Sequence, residues 1–82
     1  MKLDDLFEFS PADDPDLVDD EYILKANTNY RVQVTYERGD AFYTPTKIDG
    51  EGDDFGVIFY DTVMDKNCAL MDAHLLSQKD AA

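Results

Sequence analysis

The sequence predicts a small, mainly β domain, with α+β as the variant: an antiparallel sheet or partly open barrel of four or five strands, preceded by an acidic N-terminal arm. Three observations carry this. Tyr30, Val32, Val34 and Tyr36 alternate with Arg31, Gln33, Thr35 and Glu37, the period-two pattern of a strand with one buried and one wet face. Phe55-Gly56-Val57-Ile58-Phe59-Tyr60 is apolar at nearly every position. The acidic residues are segregated from both segments.

Residues 1–21 form the expected arm, and residues 22–82 the expected β-rich domain. The arm holds nine acids against Lys2 alone, a net −8. Leu3, Leu6 and Phe7 have i, i+3, i+4 spacing, which predicts a short helix over residues 3–9. Pro11 and Pro15 then interrupt the chain, and Pro15 disfavours helix at Asp14. Tyr22-Ile23-Leu24 reads as a short strand, followed by the strand at 30–37. Arg38-Gly39-Asp40 supplies a tight turn, and residues 41–48 return as a second strand that Pro45 pushes toward an edge or a bend. The loop Asp49-Gly50-Glu51-Gly52-Asp53-Asp54 carries −4. Because it is apolar on both faces, the segment 55–60 is expected to be the central, most buried strand. Asp65-Lys66-Asn67 is turn material. Residues 68–71 are expected as a short return strand, with a turn near Asp72 to His74 and with Leu75 and Leu76 packing back. The competing reading is a helix over Ala69 to Leu76, rich in helix formers and capped by Asp65 or Asn67.

Eighty-two residues allow one domain with a thin core, and 44% apolar content argues against wholesale disorder. The formal net charge is −12, which opposes direct binding to nucleic acid or to an anionic membrane and favours partners with basic surfaces. No apolar run approaches the ~18 residues of a membrane span. Met1-Lys2-Leu3-Asp4-Asp5 turns acidic at once and does not read as a secretory signal. A single cysteine, Cys68, fits a reducing, cytoplasmic compartment.

Two local resemblances add to this reading. Leu24-Lys25-Ala26-Asn27-Thr28-Asn29-Tyr30-Arg31-Val32-Gln33-Val34 resembles the tyrosine-corner segment of fibronectin type III domains. The resemblance implies that the Tyr30 hydroxyl bonds back to upstream backbone. Ala26 stands where that family usually has proline, and too few residues precede the segment for the whole sandwich, so only the corner carries over. Residues 57–76, with Val57-Ile58-Phe59-Tyr60-Asp61, a turn, Cys68 to Met71 and a following leucine, look like the end of a Tudor or other SH3-like small barrel. That likeness implies an aromatic cage for a cationic ligand, drawn from Tyr36, Phe42, Tyr43, Phe59 and Tyr60.

Little in the chain reads as catalytic. His74 and Cys68 are six residues apart, a spacing that joins them in neither a helix nor a hairpin, and one Cys with one His does not complete a zinc site. The loop from Asp49 matches EF-hand positions 1, 3 and 5, but Asp54 stands at position 6 and Tyr60 at position 12, so the motif fails. The expectation is a non-enzymatic protein without cofactor or metal.

The acids Asp4, Asp5, Glu8, Asp13, Asp14, Asp16, Asp19, Asp20 and Glu21 of the arm, with Asp49, Glu51, Asp53 and Asp54 of the loop, are the expected partner-binding residues. Duplex DNA carries one charge per roughly 1.7 Å of axis. The arm would extend to ~70 Å at ~3.3 Å per residue, and it is denser in charge when partly folded. The leading expectation is a DNA-mimic inhibitor that blocks the nucleic-acid-binding surface of a basic protein, of the kind small phage or mobile-element anti-defence proteins represent. The alternatives are an assembly module of a phage particle or multi-subunit complex, homo-oligomeric in one version, and an SH3/Tudor-like reader of a cationic peptide.

Overall fold

The structure, a computed structural model, describes residues 2–12, 19–50 and 52–81. The expected site residues Asp13, Asp14, Asp16 and Glu51 lie outside these. Five strands follow one another: β1 (Phe7–Ser10), β2 (Asp20–Leu24), β3 (Tyr30–Glu37), β4 (Asp40–Asp49) and β5 (Gly56–Phe59). They form one sheet in the order β1-β2-β3-β4-β5, each antiparallel to the next. Helix α1 (Lys66–Ala81) closes the described chain, and 3-10 turns stand at Leu3–Leu6 and Gly52–Asp54. The fold is mainly β, and the sheet is open rather than rolled into a barrel.

The period-two segment is β3, in the centre of the sheet. Tyr30, Val32 and Val34 are buried on one face, while Arg31, Gln33 and Thr35 stay partly exposed on the other. The β3–β4 hairpin turns on Arg38 and Gly39, both with positive φ (54° and 85°), the conformation that a two-residue type I′ turn requires. The helical spacing of Leu3, Leu6 and Phe7 yields a single 3-10 turn, after which Phe7 enters β1 and pairs with Leu24. Residues 7–10 are thereby part of the same sheet as β3.

Pro45 lies inside β4, paired with Val32 of β3 on one side, at the point where β5 no longer pairs on the other. The backbone alternation explains how it fits there. Tyr43 N–H and C=O exchange hydrogen bonds with Val63, and the Pro45 carbonyl accepts from Tyr60 N–H at 2.9 Å. The odd-numbered residues of β4 therefore face the β5 side. The missing N–H of Pro45 falls where β5 has ended at Phe59, so no regular ladder bond is lost.

Two expectations are overturned. Residues 55–60 are not the central buried strand: β5 is an edge strand. Phe55, Val57, Ile58 and Phe59 are 58%, 44%, 40% and 61% exposed. An apolar run specifies burial on both faces only when other elements cover both, and the one helix covers the middle of the sheet instead. Residues 68–71 are not a strand but part of α1. Asp65 caps the helix, its Oδ1 accepting from the N–H of Asn67 (2.9 Å) and of Cys68 (3.4 Å). The turn expected near Asp72 to His74 is absent: no Gly or Pro interrupts residues 66–81, and α1 runs through to Ala81.

The core lies between α1 and one sheet face. Phe7, Leu24, Tyr30 and Val32 meet Ala69, Leu70 and Ala73, with Leu3, Leu6, Tyr22, Tyr43, Val63 and Leu76 packed around them. Ala69 and Ala73, one turn apart, let the helix backbone approach the sheet closely, and Leu70 fills the space between strands. No described helix is long and apolar enough to cross a membrane.

Candidate functional site

Register decides which side chains share a face, since directly paired residues point the same way. The pairs Phe7–Leu24, Tyr22–Val32, Val32–Pro45, Val34–Tyr43, Tyr30–Lys47 and Lys47–Ile58 put these residues on the helix side. Glu8, Ile23, Arg31, Gln33, Phe42, Thr44, Thr46, Ile48, Val57 and Phe59 are on the open side. The five aromatics suggested for a cation cage are thereby divided. Tyr36 and Tyr43 are on the helix side, Phe42 and Phe59 on the open side, and Tyr60 follows β5. They do not form one cage, and the barrel-like end on which the cage depended is replaced by α1.

The tyrosine corner is also replaced. The Tyr30 hydroxyl donates to the Asp80 carboxylate near the end of α1, not to upstream backbone. Lys47 Nζ donates to the same carboxylate at 3.0 Å and lies 5.7 Å from the centre of the Tyr30 ring. Burial, then the Asp80 bond, holds the Tyr30 hydroxyl above the ordinary tyrosine pKa of 10.0. The hydrogen bonds from Tyr30 and Lys47 hold Asp80 below 3.8, and Asp80 in turn raises Lys47. This trio fastens the helix C-terminus to β3 and β4. It is a structural clasp.

Several expected partner-binding acids are engaged inside the fold. Asp4 pairs with Lys66 at 3.3 Å, and Glu21 pairs with Arg31 across the open face at 3.0 Å. Asp19 accepts from the Gln33 amide. Asp20 accepts from Ala12 N–H (2.8 Å) and from the Tyr36 hydroxyl (3.3 Å). Asp5 accepts from Lys2 N–H within its own turn, at 3.3 Å. Glu8, Asp49, Asp53 and Asp54 are exposed and make no ion pair among the described residues.

These acids divide spatially. Phe7, Leu24, Tyr30, Lys47 and Ile58 lie across one row of the sheet, so the turn with Asp4 and Asp5 and the loop with Asp49, Asp53 and Asp54 sit at the same end. Strand spacing of ~4.8 Å puts them ~15–20 Å apart, at opposite edges. Asp19, Asp20 and Glu21 lie toward the other end.

Two acids outside the expected set complete a second grouping. Asp61, just past β5, and Asp72 of α1 line an open groove of about 380 Å³ with Tyr60, Leu75, Leu76 and Lys79. The groove exists because α1 packs over β2 to β4 and leaves β5 overhanging. Among the described residues the most exposed apolar stretch, Phe55 to Phe59, thus runs between Asp53 and Asp54 at one end and Asp61 at the other. Its composition was visible in the sequence, but its exposure was not. Among the described residues, no group of three or more His, Cys, Asp or Glu side chains is arranged to hold a metal. Comparison with protein-family models, with curated proteins and with solved structures finds no match to this chain.

Proposed function

We propose that this chain is a non-catalytic acidic binding protein that covers a basic surface of a partner protein, in the manner of an inhibitor occupying a nucleic-acid-binding face. One observation carries the reading: Asp49, Asp53 and Asp54, before β5, are exposed and make no ion pair among the described residues, whereas three of the seven basic residues, Arg31, Lys47 and Lys66, are consumed in ion pairs within the fold. The charge surplus is left facing solvent, where it steers a cationic partner. The single exposed thiol, Cys68, is in keeping with a reducing, cytoplasmic setting.

The test is capture from a bacterial lysate on the immobilised chain at low salt, followed by a wash at about 0.5 M, where the screening length falls to a few ångströms. The expected result is recovery of nucleic-acid-binding proteins that salt releases and added duplex DNA displaces. Recovery only of proteins with no nucleic-acid-binding surface refutes the reading.

The exposed apolar strand β5 favours a second reading, an assembly subunit joined to its neighbours through that strand. Light scattering separates the two. A stable oligomer insensitive to salt supports assembly, and a monomer that meets its partner only at low salt supports the first reading.

A further inference from the structure

We propose that the outer edge of β5 accepts an extended segment of the partner as a sixth strand, and that this segment is apolar in its centre with Lys or Arg at both ends. The inference rests on the basic-partner reading above and specifies its docking mode.

The backbone comes first. Tyr43, Pro45 and Lys47 of β4 turn their polar groups toward β5, so Gly56 and Ile58 point inward to meet them. Alternation leaves the N–H and C=O of Val57 and Phe59 directed outward, with nothing paired to them among the described residues. Such an edge is a template for strand addition. Edge strands are ordinarily guarded by charge. The opposite edge, β1, carries the exposed Glu8, but Gly56–Phe59 contains no charged residue.

The side chains extend the argument. On the open face, Val57 and Phe59 lie beside Ile48 and Thr46. On the helix face, Ile58 is 40% exposed, and Tyr60, two residues further on, walls the groove with Leu75 and Leu76. An added strand would therefore find apolar contacts for alternate residues on both faces. Charge selects the occupant. Asp53 and Asp54 frame one end of β5, and Asp61 and Asp72 the other. A second copy added antiparallel would bring its own Asp61 against Asp53 and Asp54, whereas a segment with basic ends meets opposite charge at both. Like charges facing each other across strands are destabilising.

The experiment uses the full chain and a synthetic peptide of alternating valine and threonine with two lysines at each end. Amide NMR follows the titration at low salt. The expected result is shifts and slowed hydrogen exchange at the outward amides of Val57 and Phe59, with the inward amide of Ile58 little changed. Binding should weaken at least tenfold in the same peptide with glutamates at its ends and in the Phe59→Lys variant, whose circular dichroism should match the parent because Phe59 is largely exposed. If β5 amides do not respond, or the glutamate-ended peptide binds equally well, the proposal is overturned. Concentration-dependent dimerisation through β5 would assign the edge to a second copy and also overturn it. Salt-sensitive lysate capture that survives Phe59→Lys would retain the basic-partner reading and remove this docking mode alone.

Discussion

Truncating Leu70 should cost far more than truncating Phe59, although Phe59 belongs to the most apolar segment of the chain. Leu70 has no exposed surface and sits among Phe7, Leu24 and Val32 under the helix. Leu70→Ala keeps a good helix former in α1, so its effect isolates packing. Buried Leu→Ala changes cost roughly 2–5 kcal/mol, and about 3 is expected here. Phe59 is 61% exposed, so it withdraws only a minor part of its side chain from water. Full burial of such a side chain is worth roughly 1.5–3 kcal/mol, which gives about 1 kcal/mol or less for Phe59→Ala. A domain of this size has a total stability of about 4–12 kcal/mol. Each kcal/mol moves Tm by about 4–8 °C, so Leu70→Ala should lower Tm by about 12–24 °C and Phe59→Ala by about 4–8 °C or less. Urea denaturation with paired calorimetry measures both. Equal costs, or a larger cost for Phe59→Ala, would mean that β5 is in the core and would refute the packing of α1 on the sheet.

Gly50→Ala should be more damaging than Gly39→Ala. Both glycines have positive φ, but a Cβ on Gly50 would run into the Asp54 backbone carbonyl, whereas one on Gly39 meets open space. Denaturation midpoints of the two variants, with β5 amide shifts as a local readout, check this.

The Tyr30–Asp80–Lys47 clasp predicts opposite pH limbs. Because Asp80 is depressed in the fold, its contribution is present above the unfolded carboxylate value near 3.8 and is lost as pH falls below it. Because Tyr30 and Lys47 are raised, theirs is complete below about pH 10 and lost as pH climbs through their folded values. Melting Asp80→Asn beside the parent should therefore show a gap near pH 7 that narrows below pH 4. A gap independent of pH would contradict the assignment.

Cys68 is exposed, yet Asp65, chiefly by its charge, holds its thiol above the ordinary value. It should react completely with a thiol reagent in the native state, but more slowly at pH 7 than free cysteine. Asp65→Asn should speed the reaction while keeping the cap, because the asparagine side-chain oxygen accepts from the same N–H groups.

Sequence alone determined the local features that depend on neighbours in the chain. The alternation of residues 30–37 requires a strand with one wet face, and Arg38-Gly39 between two strand-forming runs requires a tight hairpin turn. The excess of acids and its grouping are likewise fixed by composition. What needed the tertiary structure was which surfaces meet. Met71 and Leu75 on the outer side of α1 blur the apolar stripe of Ala69, Leu70, Ala73 and Leu76, so periodicity did not distinguish the helix from a strand. Only docking on β2 to β4 shows which stripe is core. The same docking decides the fate of Phe55 to Phe59: apolar content favours removal from water, but one helix is too narrow to cover five strands, and β5 is the strand left over. The acids at the start of β2 and just before it follow the same logic. Asp19, Asp20 and Glu21 look equivalent to Asp49, Asp53 and Asp54 as charges, and only strand register brings Gln33, Tyr36 and Arg31 within reach of the first three.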